Sequence, residues 1–218
     1  MIDNGIDNDS LGPCPLFAGI QEAQLSRLVK RVGKAARYDP GRWIVRAGDP
    51  VQFGVVVSGS VHISREDMEG RRAILARLEP GELFGETFVC AGVSVCPVWV
   101  MSDGARVLLL DYAQLTAEAE PLAPQIARNL LAILAQKNLY LNGRLEVLAA
   151  GATRQRVLVY LGQLAQVQRS RVVTLPFTRE ELADYLSVNR SALSRELGRM
   201  AAEGIIRYHK GRFELLQP

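Results

Sequence analysis

Residues 177–206 read FTREELADYLSVNRSALSRELGRMAAEGII and contain the most specific structural signal of the chain. Thr178 is followed three residues later by Glu181, and this spacing predicts a capping box at the start of a helix. The apolar pattern breaks at residues 187–189, after about two helical turns. Ala183 is small enough to let a second helix cross the first closely. We therefore predict a helix, a short turn and a second helix, the arrangement that seats its second helix in the major groove of DNA.

The second helix of this unit is predicted to run from about Arg190 to Gly204. Its buried face is predicted to carry Leu193, Leu197 and Met200. The opposite face holds only cations and polar hydrogen-bonding side chains, namely Asn189, Arg190, Ser191, Ser194, Arg195 and Arg199. A solvated face usually mixes both signs of charge, so a face without acids favours contact with a polyanion. Arginine can read guanine through two hydrogen bonds, and serine or asparagine can reach bases or phosphates.

A β-hairpin wing is predicted after the second helix, with strands near residues 205–208 and 213–215. Lys210 and Gly211 would form its turn, which brings basic side chains within reach of DNA phosphates. The complete set of predicted DNA-contacting residues is Thr178, Arg179, Asn189, Arg190, Ser191, Ser194, Arg195, Arg199 and Lys210.

Basic residues are concentrated in the C-terminal third of the chain. The 218 residues carry a formal net charge of +3. Residues 1–150 hold 15 Lys and Arg against 17 Asp and Glu, whereas residues 151–218 hold 11 against 6. A basic domain on a mildly acidic body is typical of a protein that meets polyanions, although a solvated basic face gives the same count.

Other classes of protein lack support in the sequence. No run of about 18 apolar residues predicts a membrane span, and the acidic, polar first ten residues do not resemble a secretory signal. Cys14, Cys90 and Cys96 cannot all pair within one chain, so we expect reduced thiols in a cytoplasmic protein. We find no paired carboxylates, metal-ligand spacing, nucleophile elbow or phosphate loop, and we therefore predict that the protein is not an enzyme.

The region before the helix-turn-helix is predicted to contain a β-rich domain. Residues 16–37 place leucines at helical spacing and predict a short helical lead-in. Short apolar runs between residues 38 and 112 are separated by Gly, Pro and Asp signals at intervals of about 8–12 residues. This punctuation predicts a small antiparallel barrel or sandwich.

A long helix is predicted over residues 121–149, with Pro121 and Pro124 suited to its first turn. Alternating spacings of four and three residues place a heptad seam at Ala127, Leu131, Leu134, Asn138, Leu141, Leu145 and Leu148. This narrow seam favours pairing with a second copy of the chain, the alternative being an ordinary core helix. Asn138 within the seam is typical of an amide that sets register and oligomeric state. Thr153 is predicted to be the N-cap of a further helix.

The chain resembles the CRP/FNR family of bacterial transcription regulators over residues 16–218. The most specific likeness is the pattern TRxxLAxxLxVxRxxLSRxLxxMxxxGII, which begins at Thr178. The segments at 48–49, 57–61 and 81–86 are similar to the family's cyclic-nucleotide-type β-roll.

The resemblance implies an α+β fold in which an N-terminal cyclic-nucleotide-binding-type β-roll (a double-stranded β-helix or jelly roll) precedes a long dimerisation helix and a C-terminal winged helix-turn-helix. The implied domains are an N-terminal arm at 1–15, an effector-sensing β-roll at 16–118, the dimerisation helix at 119–150 and the DNA-binding domain at 151–218.

Two positions depart from the family pattern. Many family members carry Glu where this chain has Ser191, and serine cannot replace a carboxylate that accepts from cytosine N4 with equal discrimination. The operator is therefore expected to differ from the usual family half-site, although Arg190 and Arg195 match the family's base-contacting arginines.

The second departure concerns the effector. Cyclic-AMP binders of the family place Arg-Ser/Thr-Ala about ten residues after Phe-Gly-Glu, and that arginine neutralises the cyclic phosphate. This chain reads VCPV at residues 95–98. A buried phosphate without a cation or a helix N-terminus is costly, which argues against cyclic AMP and leaves the effector unknown. The predicted effector-pocket residues are Phe84, Gly85, Glu86, Cys96, Pro97 and Asn138.

Three sensing chemistries stay open for the cysteines: a thiol redox switch, a haem ligand or a metal site. Three cysteines are one short of the four thiolates of an iron–sulfur cluster. His62 is the only histidine in the N-terminal half, and a lone histidine on a strand is more often structural, so haem is a minor alternative. Free cysteines are commonly buried, which favours a structural role for all three.

Together these features predict a cytoplasmic homodimer that regulates transcription by binding a palindromic operator in double-stranded DNA. Its β-roll would respond to a small effector, or to a redox or gas signal, other than cyclic AMP. The effector would change how the two helix seams cross, and so set the two recognition helices about 34 Å apart. RNA polymerase would be a partner of an activator, and no membrane is involved. The alternative is a nucleotide-sensing regulatory subunit that acts through protein contacts.

Overall fold

The computed structural model describes residues 11, 14–66, 69, 72–118, 121–175 and 178–216. The chain divides into two compact units, Met1–Leu134 and Ala135–Pro218. This boundary falls inside the long helix that we predicted as a separate domain at 119–150, because each half of the helix packs with its own neighbours. Most of the predicted arm at 1–15, and Phe177, lie outside the described residues.

The helices are α1 (Glu22–Val32), α2 (Glu86–Cys90), α3 (Tyr112–Glu118), α4 (Ala123–Ala149), α5 (Thr153–Gln168), α6 (Arg179–Tyr185) and α7 (Arg190–Ala202), with a short 3-10 turn at Pro15–Phe17. The strands are β1 (Gly33–Tyr38), β2 (Trp43–Val45), β3 (Phe53–Ser58), β4 (Val61–Glu66), β5 (Arg72–Leu78), β6 (Leu83–Phe84), β7 (Trp99–Ser102), β8 (Ala105–Leu110), β9 (Val172–Thr174), β10 (Ile206–His209) and β11 (Arg212–Leu215). None of the helices in the described ranges combines the length and apolarity needed to cross a membrane.

Two four-stranded antiparallel sheets form the body of the first unit. Their strand orders are β1-β8-β3-β6 and β2-β7-β4-β5. Both sheets contribute to one buried cluster that includes Val45, Val56, Val61, Leu78, Phe84, Val100 and Val107. Strands that alternate between two packed sheets make a β-roll, so the predicted fold class is confirmed for this region.

A second cluster in the first unit joins the helices to the β-roll. Leu25 and Leu28 of α1 and Ile126 and Leu130 of α4 are buried in it, together with Cys14 from the predicted arm. The side-chain amide of Asn129 donates to the carbonyl oxygens of Leu16 and Ala18, each at 2.9 Å. The N-terminal half of α4 is therefore anchored within the first unit.

The predicted helical lead-in at 16–37 is wrong over its last five residues, because Gly33–Tyr38 forms β1. This strand pairs antiparallel with β8, in a register that runs from Gly33 opposite Leu110 to Tyr38 opposite Ala105. Its sequence, GKAARY, lacks both a β-branched residue and a clear apolar alternation. Pairing with a buried neighbouring strand overrides the weak local preference.

The second unit packs α5, α6, α7 and the end of α4 against a small sheet of order β10-β11-β9. The predicted wing hairpin is present, and its turn holds Lys210 at φ 42° and Gly211 at φ 83°. Two consecutive left-handed residues are what a tight two-residue hairpin requires. The third strand, β9, was not predicted, and it pairs with β11 from Val172 opposite Glu214 to Thr174 opposite Arg212.

The predicted N-cap role of Thr153 is wrong. Helix α5 begins at Thr153 itself, and its N-cap is Ala152, which has no side-chain oxygen to satisfy the first backbone N–H groups. The apolar face of the helix is nevertheless as predicted, since Val157 and Leu161 are buried in the core of the second unit. The helix is held by that packing rather than by a cap.

Candidate nucleic-acid interface

The start of α6 carries the capping box that the sequence predicts. The backbone N–H of Glu181 donates to Thr178 Oγ1 at 3.2 Å, and the backbone N–H of Thr178 donates to Glu181 Oε2 at 2.7 Å. The hydrogen bond from Thr178 lowers the pKa of the Glu181 carboxyl. Both hydrogen bonds satisfy donors that a helix start leaves unpaired, so they define where α6 begins.

The turn between α6 and α7 ends in a second cap. Ser187 adopts a left-handed backbone with φ 51°. The side-chain oxygen of Asn189 then accepts from the backbone N–H of Ser191 at 2.8 Å and from its hydroxyl at 2.6 Å. Asn189 therefore uses its side-chain oxygen to start α7, a role that complements its predicted contact with DNA.

Helix α7 has one buried and one exposed face, as the sequence predicts. Leu193, Leu197 and Met200 are fully buried in the core of the second unit. The predicted contact residues on the opposite face are all exposed, namely Asn189, Arg190, Ser191, Ser194, Arg195 and Arg199. Guanidinium groups that project from one short helix are the arrangement that major-groove reading needs.

One acid lies closer to this face than predicted. The guanidinium of Arg199 lies 3.6 Å from the carboxylate of Glu196, one turn before it on α7. The side chain of Arg199 is still 70% exposed, whereas that of Glu196 is only 15% exposed. Arg199 is therefore open to an external anion, although its charge is partly balanced.

Two arginines on α5 that we did not single out from the sequence hold the helix-turn-helix in place. Arg154 makes ion pairs with Glu196 and Glu203, which both belong to the α7 segment. Arg156 donates from Nη1 to the carbonyl oxygens of Leu186 and Ser187, at 2.9 and 3.2 Å. The sequence did contain a signal for this contact. Arg154 and Arg156 lie in the first turn of α5, where a cation opposes the helix dipole, so their positions indicate that a neighbouring anion or carbonyl group compensates them.

The predicted contacts at the base of the wing surround one hollow. Thr178, Arg179 and Lys210 line it, together with Leu175 and Gly211, and its volume is about 310 Å³. The hollow brings the start of α6 next to the turn of the wing, although these segments are about 30 residues apart in the sequence. A phosphate-contacting role for these residues stays a prediction.

The guanidinium group of Arg179 packs against two aromatic rings of the wing. Its guanidinium carbon lies 5.0 Å from the centre of the Tyr208 ring and 5.6 Å from that of Phe213. Such stacking is a cation–π contact. Arg179 therefore links α6 to the wing and presents only part of its side chain to solvent.

Four of the six predicted effector residues lie in tightly packed surroundings of the first unit. Phe84, Glu86 and Cys96 are buried, and the thiol of Cys96 donates to the carbonyl oxygen of Val98 at 3.2 Å. Gly85 has φ 78°, and a Cβ there would lie 1.9 Å from the carbonyl oxygen of Gln52. Only glycine fits this turn.

The other two predicted effector residues are exposed and lie in different units. Pro97 is exposed in the segment before β7 of the first unit, and Asn138 is exposed on α4 in the second. Asn138 accepts a hydrogen bond from the side-chain amide of Asn142 at 2.9 Å. A shared pocket for these six residues stays a prediction.

The three cysteines are all free thiols. Burial raises the pKa of Cys14 to about 11, and burial is also the main cause that raises the pKa of Cys96. Cys90 is exposed, and its thiol lies 3.7 Å from the hydroxyl of Tyr112. Across the described part of the chain, no group of three or more His, Cys, Asp or Glu side chains is placed to hold a metal ion.

The seam residues on α4 leave a row of apolar side chains exposed. Leu131, Leu141 and Leu145 are 68%, 55% and 63% exposed. Leu134 and Leu148 are partly buried, and Leu134 packs against the core of the first unit. Because large apolar side chains in a row are costly in water, this face of α4 suits a partner.

Two regions of the chain match known family models. Residues 155–218 match the model described as a Crp-like helix-turn-helix domain. Residues 35–120 match the model described as a cyclic nucleotide-binding domain. The two matches fall on the winged helix-turn-helix and on the β-roll.

Several characterised relatives align along nearly the whole chain. The protein named Cyclic AMP receptor protein from Thermus thermophilus is 29% identical over 205 residues, which cover 92% of each chain. The CRP-like cAMP-activated global transcriptional regulator of Mycobacterium tuberculosis is 26% identical and covers 92% of this chain and 91% of its own. The nitrogen fixation regulation protein FixK of Rhizobium meliloti is 27% identical, with 98% of this chain and 91% of the relative covered.

Solved structures share the same architecture. The catabolite activator protein of Thermus thermophilus superposes with a TM-score of 0.55 at 28% identity, covering 92% of this chain and 93% of its own. The c-di-GMP responsive global regulator CLP of Xanthomonas campestris has a TM-score of 0.58 at 22% identity, with 91% and 100% covered. The second likeness indicates the fold alone.

Proposed function

The chain belongs to the CRP/FNR family of DNA-binding transcription regulators, and on that premise we propose that it acts as a homodimer whose two α7 helices read a palindromic operator. The β-roll would control this binding in response to an effector other than cyclic AMP. The observation that carries the proposal is the exposed position of the Arg190, Arg195 and Arg199 side chains on one helix.

Reading by α7 is supported by the way its face is arranged. Bidentate contact with guanine needs guanidinium groups that are free to enter the major groove, and three are exposed within about three helical turns. Ser191 and Ser194 lie on the same face and are short enough to let the helix approach the bases closely. Thr178 and Lys210 would contact flanking phosphates, which set register without reading sequence.

Dimerisation is supported by the exposed leucines of α4. Leu131, Leu141 and Leu145 each leave more than half of the side chain accessible in a single chain. Pairing with the same face of a second copy would bury these side chains, at a gain of about 1.5–3 kcal/mol for each one that becomes fully buried. A two-fold dimer also presents two recognition helices, as a palindromic operator requires.

Cyclic AMP is a poor fit for the first unit, although two relatives are named for it. The segment at residues 95–98 brings no cation, and its Cys96 side chain is committed to the core. A buried cyclic phosphate would therefore lack the cation that the cyclic-AMP binders supply at this segment, so the effector is expected to be a different molecule or signal.

The proposal is tested by selecting DNA with the purified full chain. The library consists of duplexes with about 30 random base pairs, enough for two half-sites one turn of DNA apart. We expect enrichment of a palindrome bound by one dimer, with affinity that falls steeply as salt rises. Titration with cyclic AMP in the same assay is expected to leave the affinity unchanged.

Two results would contradict the proposal. One is a library without an enriched sequence at low salt, which would favour the alternative of a regulatory subunit that acts through protein contacts. The other is an enriched site without two-fold symmetry, bound by a single chain.

A further inference from the structure

Arg154 bridges two carboxylates of the recognition-helix segment. Its Nε lies 2.6 Å from Glu196 Oε1, and its Nη1 and Nη2 lie 2.7 and 2.9 Å from the two carboxylate oxygens of Glu203. The contact with Glu203 is a fork of two parallel hydrogen bonds, which fixes direction as well as distance. One side chain of α5 therefore binds the α7 segment at two residues, Glu196 and Glu203.

These charges oppose the dipoles of their own helices. Arg154 is the second residue of α5, where the unpaired N–H groups repel a cation, and Glu203 is the C-cap of α7, where the carbonyl groups repel an anion. Neither residue is favoured at its position by the helix that carries it. Each is compensated by the other, so the favourable interaction at these positions is the bridge between α5 and α7.

Two contact points seven residues apart constrain the orientation of a helix. Glu196 and Glu203 are separated by about two helical turns, so they lie on one side of α7. Contacts at both carboxylates add to the core packing of α7 a restraint against rotation about its axis and against tilting away from α5. The rotation of α7 in turn decides which way Arg190, Arg195 and Arg199 project.

The bridge also controls the acid beside the exposed face. Glu196 Oε1 is engaged by Arg154, and Glu196 Oε2 lies 3.6 Å from Arg199, longer than the contact with Arg154. Without Arg154 the whole carboxylate would be available to Arg199. Arg199 would then be drawn onto its own helix and away from DNA.

We infer that Arg154 is a positioning residue for DNA reading, which through Glu196 and Glu203 sets the orientation of α7 and keeps Arg199 available. This inference rests on the proposed reading role of α7. It assigns to α5 a part in specificity without a contact between α5 and a base.

The discriminating variant is Glu203→Ala, because charge and position predict opposite results. Removing an acid makes the protein more basic and by itself strengthens binding to any duplex. Loss of orientation weakens binding only to the selected duplex. Asp184→Ala is the matched control, since it removes one exposed acid from the same unit, on α6.

The full-length variants are compared on the palindrome enriched by the wild-type protein and on a scrambled duplex of the same composition. We expect Glu203→Ala to bind the palindrome at least about threefold more weakly than Asp184→Ala. The reason is that Glu203 is coupled to Arg154 through an ion pair, and its loss removes that interaction. On the scrambled duplex the two variants should agree within about twofold. Arg154→Ala should also lose specificity, and the double variant Arg154→Ala/Glu203→Ala should be no worse than Arg154→Ala alone.

The inference is overturned if Glu203→Ala matches Asp184→Ala on both duplexes. It is also overturned if the affinity lost by the double variant equals the sum of the affinities lost by Arg154→Ala and Glu203→Ala. A loss that is equal on both duplexes and follows a lowered melting temperature would also overturn it, since it would report damage to the fold. Absence of any enriched duplex for the wild-type protein would instead overturn the proposed function, and this inference with it.

Discussion

The two compact units differ in whether the side chains of their most distinctive motifs are exposed to solvent or buried in the core. In the second unit, Arg190, Arg195 and Arg199 project from α7 into solvent. In the first unit, Phe84 and Cys96 turn into the core, and Gly85 makes a turn that no larger residue fits. The second unit thus exposes the side chains of its motif, whereas the first packs much of its motif into the β-roll.

The difference has a physical origin. A helix keeps its exposed and buried faces within one short stretch of sequence, so the same residues can carry a core face and a binding face. A β-roll closes only when strands from distant parts of the chain pack together, and its turns are tightly constrained. The residues of such a turn are therefore constrained by folding whether or not they contact a ligand.

The largest expected effect comes from the seam of α4. Replacing Leu145 by Asp should raise the dissociation constant of the dimer by on the order of a thousandfold or more, because each copy would bury an unpaired carboxylate. Sedimentation velocity at micromolar concentration should then show monomers. The matched control is Leu139→Asp, which alters another exposed leucine of α4 that lies off the seam. A dimeric Leu145→Asp protein, or a monomeric Leu139→Asp protein, would contradict the seam.

The next effect tests whether the motif of the first unit is structural. Gly85→Ala should destabilise the first unit by about 3 kcal/mol or more, because it combines a left-handed backbone with a clash against Gln52. Gly92→Ala is the matched control, since it has a similar φ of +70° but nothing within 4 Å of the added Cβ. Its cost should be only about 1–2 kcal/mol. Urea unfolding followed by tryptophan fluorescence measures both, since Trp43 and Trp99 lie in the β-roll. Equal costs for the two variants would argue against the clash.

A smaller effect should separate reading from phosphate contact in the second unit. Arg195→Ala should lower affinity for the enriched palindrome by about 1–3 kcal/mol and relax its sequence preference. Lys210→Ala should weaken binding to all sequences alike and reduce the salt slope by about one. Fluorescence anisotropy at several salt concentrations measures the DNA affinity of each variant and its salt dependence, and so distinguishes the two effects. Sedimentation checks that each variant stays dimeric. Unchanged palindrome affinity for Arg195→Ala would remove this residue from the reading face.

The smallest expected effect is a difference in reactivity among the three cysteine thiols, which all lie in the first unit. At pH 7.5 an aromatic disulfide reagent should modify Cys90 quickly and leave Cys14 and Cys96 slow to react. Both slow thiols are buried, and burial raises the pKa of Cys14 to about 11, so very little thiolate is present. Cys90→Ser should remove the fast phase. Three equally fast thiols would show that the first unit does not hold its cysteines inward as described.

The helix-turn-helix could be predicted in detail because its signals are local. Thr178 and Glu181 satisfy each other's backbone N–H groups within four residues, and the buried leucines of α7 recur at helical spacing. The β-roll could be predicted only as a class, from turn punctuation. Strand β1 was mistaken for helix because its pairing with β8 joins residues about 70 positions apart.

The capped start of α6, the cationic face of α7 and the spacing of the leucines along α4 could be read from the sequence alone. Each of these depends on interactions within a few residues, or on the period of a single helix. Four other features depend on contacts between distant parts of the chain: the pairing of β1 and β9, the inward turn of Cys96, the stacking of Arg179 on the wing, and the bridge from Arg154 to Glu196 and Glu203. Arg154 and Glu203 are separated by 49 residues along the chain. Their meeting depends on how α5 and α7 pack, which local spacing along the sequence does not encode.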